Sequence, residues 1–402
     1  MAMLSEATLH FVAAHREDDV RQLALRGCRD AEVDIPAALQ QIAGWQTARR
    51  KLPTWAATEG LLYPPHLSME QCSSEATARY KCSVSCDTFA AYGTEGTGAT
   101  TLVDLTGGFG VDFSFLSQSF GRAVYVERQE ELCQLARHNF QQLGLTNTEV
   151  VCADGGDYLR QLSHATMIFL DPARRDSHGG RTYAISDCTP DVLSLRKELL
   201  QKADYVMLKL SPMLDWRKAV QDLGEPYVRQ VHAVAVGGEC KELLLVLSKR
   251  GKGLRQVAWQ DGQAFEPIVS IVSIASIESI ASMPFLYEPH AAVMKLGCFE
   301  ALEASFPVRQ IAPNSHLFMA ESPVENFPGR GFQVVATTSM NKKELKKALA
   351  GIRQANITVR KFPLTVAELR KRLKLSEGGS NYLFATTLAS GCHVVFLCQR
   401  LQ

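Results

Sequence analysis

Three acidic residues stand where short apolar segments end. Asp104 closes the segment 101–104, Glu127 closes AVYVE, and Asp154 closes VVCAD. If these segments are parallel strands, their carboxyl ends meet at one edge of a sheet, which is where ligands bind in such folds. A carboxylate after the second strand suits two neighbouring hydroxyl groups, one after the third accepts from an amino group, and one beside a glycine turn suits a cation. The acids therefore predict a ligand-binding edge.

The glycine turn TGGFG, residues 106–110, narrows the choice of ligand. Gly108 and Gly110 have the first spacing of a dinucleotide fingerprint, but Phe113 stands where the third glycine belongs. No Gly-Lys pair is followed by Ser or Thr, as a phosphate-binding loop of the Walker type requires. Both phosphate-binding patterns therefore fail, and the turn predicts a ligand without a phosphate group to neutralise.

Together the three acids and the turn describe an adenosine that carries an amino acid, which is S-adenosylmethionine. NAD also uses the acid after the second strand, but it gives Asp104 no role. The residues that we assign to this cofactor belong to the turn, to the strand ends and to an upstream helix start: Asp104, Thr106, Gly107, Gly108, Gly110, Glu127, Arg128, Asp154, Gly155, Gln71, Ser73 and Ser74.

The same stretches resemble a known family. DLTGGFGVD, YVE and AD resemble the first motifs of class I methyltransferases, and MIFLDPARRD is similar to the acidic-Pro motif at the catalytic position of many nucleic-acid methyltransferases. EQCSSEATARYK and LKLSPMLD resemble a bacterial family whose class I S-adenosylmethionine-dependent methyltransferase domain carries a C-terminal THUMP-like domain. The resemblance covers most of the chain from about residue 51 and implies structured RNA as the partner.

The acidic-Pro motif gives the candidate catalytic residues, Asp171 and Pro172. Methyl transfer is an in-line displacement, so the protein mainly positions the nucleophile and manages its proton. The Asp171 carboxylate and the Pro172 carbonyl are acceptors that suit this task. Enzymes that methylate amino groups often carry an aromatic residue after this motif, and Ala173 stands here instead. Covalent C5 methylation needs a cysteine after the fifth strand, and LKLSPMLDW has none.

Two further segments are candidates for contacts with the substrate or the cofactor. Arg174 and Arg175 follow the catalytic motif and suit phosphate groups, with a solvated loop as the alternative. The segment around Gln71, Ser73 and Ser74 is predicted to form a lid near the amino-acid end of the cofactor. Its alternative is a plain helix over 68–81, because Ser68 and Gln71 have capping-box spacing.

The elements that must position these residues form an α/β pattern. Residues 1 to about 50 have helical spacing of apolar residues, and apolar runs at 101–105, 123–126, 150–153, 166–170 and 205–210 alternate with helices or loops. Val231–Val236 and Leu243–Leu247 flank a Gly-Gly turn and predict an antiparallel hairpin. We therefore predict a Rossmann-like methyltransferase domain, a parallel sheet with an antiparallel last strand, behind a helical N-terminal region.

The C-terminal part predicts a small α/β domain of the ferredoxin or THUMP-like kind. A helix at 291–306 and a short strand at 316–319 come first. Strands at 332–337, 357–362, 382–387 and 393–398 then alternate with helices at 342–354 and 366–373. We divide the chain into a helical region with a lid (1–90), the methyltransferase domain (91–265), a connecting subdomain that begins with the low-complexity linker 268–283 (266–325), and the THUMP-like domain (326–402).

Composition sets the class of protein. The chain has 402 residues, of which 46% are hydrophobic and 21% charged, with a net charge of +1, as expected of a soluble cytoplasmic protein without a membrane span. Its eleven cysteines are scattered and predict free thiols, and the lone Cys82–Cys86 pair is a weak metal signal, so no metal is expected.

Positively charged residues are concentrated near the C-terminus. Residues 341–374 contain eleven Lys or Arg against two Glu. Lys346 and Lys347 share one predicted helix, and Arg370 and Arg372 share the next, so we assign these four to RNA. The leading hypothesis is a methyltransferase that acts on RNA. A methyltransferase for a small molecule or protein, and a non-catalytic RNA-binding protein that retains the fold, are the alternatives.

Overall fold

The structure is a computed structural model that describes residues 4–27, 30–93, 99–174, 185–267 and 283–401. The chain divides into two compact units. The first unit comprises Met1–Val231 and Glu242–Arg255, and the second comprises His232–Lys241 and Gln256–Gln402.

Helices precede and surround the sheet of the first unit. They are α1 (Glu6–His15), α2 (Val20–Arg26), α3 (Ile35–Lys51), α4 (Pro53–Ala57), α5 (His66–Gln71), α6 (Glu75–Tyr92), α7 (Val111–Leu116), α8 (Glu130–Gln142), α9 (Gly155–Gln161), α10 (Val192–Lys202) and α11 (Trp216–Leu223). The strands are β1 (Thr101–Asp104), β2 (Arg122–Glu127), β3 (Thr148–Cys152), β4 (Ala165–Leu170), β5 (Ala173–Arg174), β6 (Cys188–Thr189), β7 (Ala203–Leu210), β8 (Val228–Val236) and β9 (Glu239–Leu247).

The main sheet of the first unit has the predicted architecture. Seven of the nine strands of this sheet lie in the order β3-β2-β1-β4-β7-β9-β8, and two short strands continue it beyond β8. The pairs among β1, β2, β3, β4 and β7 are parallel, whereas β9 runs antiparallel to β7. Gly237 and Gly238 join β8 to β9, and both have a positive φ. This order and the reversed last strand confirm the Rossmann-like methyltransferase fold that the alternation of elements predicts.

Burial explains why the central strands read as continuous apolar runs. All six residues of β4 are buried, as are seven of the eight residues of β7. Helices on both faces of a parallel sheet remove both sides of its strands from water, so alternation of polar and apolar residues is lost. Aromatic side chains fill one side of this core, where Phe113, Tyr125 and Phe140 contact one another.

The segment before the sheet differs from the prediction of one helix over 68–81. The structure has two helices, α5 and α6, interrupted at Cys72–Ser74. Ser74 caps α6 by accepting a hydrogen bond from the backbone N–H of Thr77, whereas α5 has no side-chain cap. The predicted cap at Ser68 was therefore wrong, because the run of Ser73 and Ser74 offers a better N-cap than a residue followed at once by helix formers.

The second unit is built on another sheet. Its elements are β10 (Arg255–Gln260), β11 (Gln263–Phe265), β12 (Phe285–Pro289), α12 (Ala291–Leu296), α13 (Phe299–Ser305), β13 (Arg309–Gln310), β14 (Phe318–Ala320), β15 (Gly329–Ser339), α14 (Lys342–Ala348), β16 (Asn356–Arg360), α15 (Val366–Leu373), β17 (Asn381–Thr387) and β18 (His393–Arg400). The strands β10 and β11 are the two that continue the first sheet beyond β8. The other strands form the second sheet, in the order β13-β14-β12-β15-β18-β17-β16, in which β16 and β17 are parallel.

Alternate residues of β17 and β18 face two hydrophobic clusters. Phe384 and Phe396 belong to one cluster, and Leu383 and Val395 belong to the other, which also contains Leu369 of α15.

Two predicted helices are shorter than expected. Gly297, in the left-handed conformation, ends α12 and divides the segment 291–306, and α14 ends at Ala348, ahead of a turn at Gly351 with a positive φ. The predicted linker at 268–283 lies outside the described residues except for Met283.

Candidate functional site

Asp104 ends β1 and lies almost wholly inside the protein. Its side chain is 1% exposed, and its Oδ1 accepts a hydrogen bond of 2.9 Å from the backbone N–H of Thr106. Burial raises the pKa of Asp104 to about 8 against the lowering effect of that hydrogen bond, and the negative charges of Asp112 and Asp171 add to the rise. The carboxyl group is therefore mostly protonated at pH 7, and a bound cation would favour its ionised form.

Glu127 ends β2, and its carboxylate is hydrogen-bonded to the backbone of the glycine turn. Its Oε2 accepts from the backbone N–H of Gly108 at 3.0 Å, and its Oε1 accepts from that of Gln129 at 3.0 Å. A carboxylate has about four lone-pair positions, so two remain for further donors. The side chain is thus held in one orientation by the backbone and keeps capacity for two hydroxyl groups.

The positions of the turn require glycine for different reasons. A Cβ on Gly107 would lie 2.2 Å from the Tyr125 ring, and one on Gly110 would lie 2.8 Å from Phe140, so these two glycines permit close packing against aromatic side chains. Gly108 has a φ of +55°, and a Cβ there would meet only the Thr106 carbonyl at 3.7 Å. Open space is therefore found at Gly108, where a ligand can approach the backbone.

Asp154 and Gly155 begin α9 after β3. Asp154 is the N-cap, and its Oδ1 accepts from the backbone N–H groups of Gly156 at 2.9 Å and Asp157 at 3.2 Å. A Cβ on Gly155 would lie 2.2 Å from the Leu105 carbonyl oxygen, which requires glycine where α9 approaches the end of β1. Arg128, also assigned to the cofactor, is exposed immediately after β2.

Asp171 is attached to the glycine turn through Thr106. The backbone N–H of Asp171 donates to Thr106 Oγ1 at 2.7 Å, and the Thr106 hydroxyl lies 3.3 Å from Asp104 Oδ1. The side chain of Asp171 is 40% exposed and forms an ion pair of 2.5 Å with Lys209 on β7. Pro172 is buried directly after it. Thr106 thus connects the end of β1 to the acidic-Pro motif.

The upstream segment contacts the same region through one of its three predicted residues. Ser73 is buried, and its hydroxyl donates to Asp112 Oδ2 at 2.7 Å, in the first turn of α7. Ser74 is used as the cap of α6, and Gln71 is exposed at the end of α5. Ser73 therefore reaches the helix that follows the glycine turn, whereas Ser74 serves as the N-cap of α6.

Four charged residues beside Asp171 were not singled out from the sequence. Lys81, Asp112, Lys209 and Glu242 form ion pairs with one another or with Asp171. Lys81, Asp112 and Lys209 stand in motifs that carry the resemblance. Lys209 and Glu242 also gave a signal of their own, a charge inside an otherwise apolar strand, in VMLKL and KELLLVL. Such a charge in a buried strand needs a partner, and the sequence does not show which residue supplies it.

The arginines after the acidic-Pro motif are only partly described. The backbone of Arg174 belongs to β5 and pairs with Cys188 of β6, but its side chain lies outside the described residues, as does Arg175. Their assignment to substrate therefore stays a prediction.

The predicted RNA-binding residues differ in exposure. Lys346 and Lys347 on α14 and Arg372 on α15 are exposed. Arg370 is half-buried, and its guanidinium donates to the Ala355 carbonyl at 3.1 Å. Arg360 forms an ion pair of 3.0 Å with the buried Glu288. The basic excess of this region thus includes structural arginines as well as an exposed set.

Among the cysteines that the structure describes, all ten are free. Cys82 Sγ lies 3.0 Å from Ser119 Oγ rather than in a metal-binding group. Glu130, Cys133 and Cys152 have ligand atoms within 4.8 Å of one another, with Arg137 3.4 Å from the Glu130 carboxylate.

The described helices include none with the length and apolar character that a membrane span requires.

Comparison with known proteins gives an extensive match. The crystal structure of a candidate methyltransferase from Porphyromonas gingivalis W83 is 32% identical, with a TM-score of 0.80 over 98% of each chain. Residues 329–400 match a family described as THUMP domain-like, and residues 285–328 match one described as a ferredoxin-like domain. No curated protein matches the chain.

Other solved structures are less similar to this chain in sequence and in structure. A SAM-dependent methyltransferase from Agrobacterium tumefaciens is 15% identical over 44% of this chain and 63% of its own, with a TM-score of 0.32. A candidate rRNA methylase from Clostridium thermocellum is 14% identical over 42% of this chain and 96% of its own, with a TM-score of 0.31. Similarities of this size support no inference about substrate.

Proposed function

The chain belongs to the family of class I methyltransferases that carry a C-terminal THUMP-like domain, and from this membership we propose that it transfers a methyl group from S-adenosylmethionine to RNA. The observation that carries the proposal is the edge of the parallel sheet, where Thr106 links the buried acid Asp104 to Asp171. One hydrogen-bonding residue thus connects the proposed cofactor contacts to the proposed catalytic residue.

The residues at this edge fit the cofactor. Glu127 would accept the two ribose hydroxyls, Asp154 would accept from the adenine amino group, and Asp104 would face the cationic amino-acid end. The open space at Gly108 lets the ligand approach the backbone, and the pKa of Asp104, about 8, suits a carboxyl group that ionises when a cation binds. When bound, S-adenosylmethionine supplies an activated methyl group on a sulfonium.

Asp171 would hold the nucleophile at the end of β4. Its backbone is fixed by Thr106, its side chain is partly exposed, and Pro172 is buried beside it. A carboxylate that is anchored on one side and accessible on the other can accept a proton from a group placed beside the methyl donor. Arg174 and Arg175, next along the chain, would contact phosphate groups.

The C-terminal domain would bind the RNA. The THUMP domain-like match covers the region with the basic excess, and Lys346, Lys347 and Arg372 are exposed there. Exposed cations without many aromatic neighbours favour contacts with phosphates and RNA shape rather than with bases. The division at residues 90, 265 and 325 that we predict from the sequence assigns this task to 326–402.

The test is methyl transfer by the full-length protein. We would incubate it with S-adenosylmethionine labelled in the methyl group and with total RNA from cells that lack the gene. We expect label in ribonuclease-sensitive material, and we expect Asp171→Asn to remove it while calorimetry shows cofactor affinity within about twofold of the wild type. Asp87→Asn, which changes an exposed acid on α6, is the matched control.

Three outcomes separate the alternatives. Label in protein or in small molecules would keep the methyltransferase and remove RNA as the substrate. Absence of cofactor binding, together with RNA binding, would favour a protein that retains the fold without catalysis. Equal transfer by wild type and Asp171→Asn would show that the chemistry lies elsewhere.

A further inference from the structure

Five charged side chains form a row that runs from the core to the end of β4. Glu242 on β9 lies 2.5 Å from Lys81 on α6, and Lys81 lies 3.1 Å from Asp112 on α7. Asp112 lies 3.5 Å from Lys209 on β7, and Lys209 lies 2.5 Å from Asp171. The charges alternate in sign along the row, and each residue comes from a different part of the chain.

The side chains at the Asp171 end of the row are more exposed to solvent than those at the core end. The side chain of Lys81 is 0% exposed, Glu242 3%, Asp112 10%, Lys209 13% and Asp171 40%. Taking charges out of water is costly, and apolar residues of similar volume are often at least as stabilising as a buried ion pair. Stability alone therefore does not explain the row, and its accessible end, Lys209 with Asp171, is where it can act on a ligand.

Lys209 is a permanent cation at this end. Burial lowers the pKa of Lys209, but the carboxylates of Asp171, Asp112 and Glu242 outweigh this and raise it above its usual range. An ammonium group has three N–H donors and no acceptor. Among the described residues, Asp171 and Asp112 take two of the donors, which leaves one for a substrate atom. Lys209 is therefore a hydrogen-bond donor here and not a base.

A donor and an acceptor side by side match one kind of nucleophile. A hydroxyl oxygen has two lone pairs and one proton, so it can donate to Asp171, accept from Lys209 and still attack with the remaining lone pair. An amino nitrogen attacks with its single lone pair and then offers donors only, while positive charge develops on it. A fixed ammonium at hydrogen-bonding distance opposes that charge. The absence of an aromatic residue at Ala173 agrees with a nucleophile that is not part of a base.

We propose that the nucleophile is the 2′-hydroxyl of an RNA ribose, held between Lys209 and Asp171. This proposal rests on the proposed RNA substrate, because the 2′-hydroxyl is the alcohol available at an internal position of RNA. The bond from the 2′-oxygen to the methyl carbon forms as the bond from sulfur to that carbon breaks. The electron pair of the broken bond stays on sulfur, which becomes a neutral thioether, and the hydroxyl proton passes to the Asp171 carboxylate.

The behaviour of the other three residues follows from their positions. Asp112 is a second carboxylate partner of the Lys209 ammonium, at 3.5 Å, and Lys81 lies between Asp112 and Glu242 inside the core. They are positioning residues, since their side chains are at most 10% exposed and act on a substrate through Lys209.

The test is the identity of the methylated nucleotide made by the wild-type protein. RNA from cells that lack the gene would be labelled by the full-length enzyme, hydrolysed in alkali and separated by size. Alkali needs a free 2′-hydroxyl, so we expect the label in uncleaved dinucleotides and a 2′-O-methylnucleoside in the mass spectrum. Label in mononucleotides with a methylated base would overturn the inference and keep the proposed function. RNA without label would overturn both.

Variants of Lys209 test its role separately. We expect Lys209→Met to lower kcat by about 10²–10³-fold, the usual effect of removing a donor that acts on developing charge, with the Kd for S-adenosylmethionine unchanged. Lys209→Arg should recover part of this loss, and calorimetry of cofactor binding shows that each variant is folded. Lys218→Met, an exposed lysine on α11, is the control. Loss of cofactor binding in both Lys209 variants, or wild-type kcat in Lys209→Met, would contradict the assignment.

Discussion

The backbone N–H of Asp171 donates to Thr106 Oγ1 at 2.7 Å, so a side chain of the glycine turn fixes the residue that follows the fourth strand. The two residues are 65 positions apart in the chain. Since Thr106 is also 3.3 Å from Asp104, one hydroxyl couples the position of the proposed cofactor site to that of the proposed catalytic residue.

Replacement of this hydroxyl should affect both stability and catalysis. We expect Thr106→Val to lower the free energy of unfolding by about 1–3 kcal/mol, because the part-buried N–H of Asp171 loses its acceptor. Urea denaturation measures this change, and the rate of methyl transfer should fall with it. Thr106→Ser keeps the hydroxyl and should remain close to the wild type. Equal stability of the Val and Ser variants would show that this hydrogen bond has no net effect.

Glu127 is expected to dominate recognition of the ribose. Removing a charged acceptor of hydrogen bonds costs about 1.5–3 kcal/mol, so Glu127→Ala should weaken S-adenosylmethionine binding by roughly tenfold or more in calorimetry. Glu131→Ala changes an exposed acid on α8 and should have no effect. Because Glu127 also accepts from Gly108 and Gln129, circular dichroism is needed to show that the variant keeps its fold. Unchanged affinity would remove Glu127 from the site.

Proton release should accompany cofactor binding. Asp104, with a pKa of about 8, is mostly protonated at pH 7, and a cationic ligand favours its carboxylate. Binding at pH 7 should therefore release up to one proton, and affinity should rise with pH by up to about tenfold per unit until pH 8 and then level off. Calorimetry in two buffers of different ionisation enthalpy measures the release. The amino group of the ligand also titrates, so Asp104→Asn is the control.

In Asp104→Asn the part of the proton release that depends on the protein should vanish, and affinity should fall. If wild type and variant release the same number of protons at pH 7, Asp104 does not face the cationic part of the ligand.

The inner end of the charge row should be sensitive to the loss of one partner. Lys81→Met removes the buried cation beside Glu242 and leaves Asp112 with the Lys209 ammonium and the Ser73 hydroxyl, so the free energy of unfolding should fall by about 3–5 kcal/mol. Lys81→Met combined with Glu242→Leu removes both charges of that pair, and should recover part of the loss. A double variant that is as unstable as the sum of its single variants would show that the two residues do not interact.

The exposed cations of α14 and α15 should control RNA affinity. Lys346→Glu, Lys347→Glu and Arg372→Glu together should weaken binding of structured RNA by the full-length protein by at least tenfold. They should also reduce its dependence on salt, because fewer counterions are released. Arg370 is left unchanged, since its guanidinium donates to the Ala355 carbonyl and reversal would disturb the fold.

Cofactor affinity should be the same in this triple variant as in the wild type. Lys249→Glu with Lys252→Glu, two exposed lysines outside the THUMP-like region, is the control for a general effect of charge. RNA binding that is insensitive to salt, or reduced equally by both sets of changes, would argue against a docking surface on these helices.

Local pattern was sufficient for much of the architecture. The strands β1, β2, β3, β4 and β7, the hairpin of β8 and β9, and the alternation in the C-terminal domain follow from apolar runs separated by turns, because strand and helix periods are properties of short segments. The acids at strand ends were predictable for the same reason, since a parallel sheet brings the carboxyl ends of its strands to one edge.

Tertiary structure decided the partners of the charged residues. Lys81, Asp112, Asp171, Lys209 and Glu242 are separated by up to 161 positions, from residue 81 to residue 242, and only the order β1-β4-β7-β9, with α6 and α7 packed beside it, brings them together. The sequence determined that charges stand inside apolar segments. Which charge meets which depends on the packing of elements distant along the chain, and this packing also decides which pair stays accessible to a substrate.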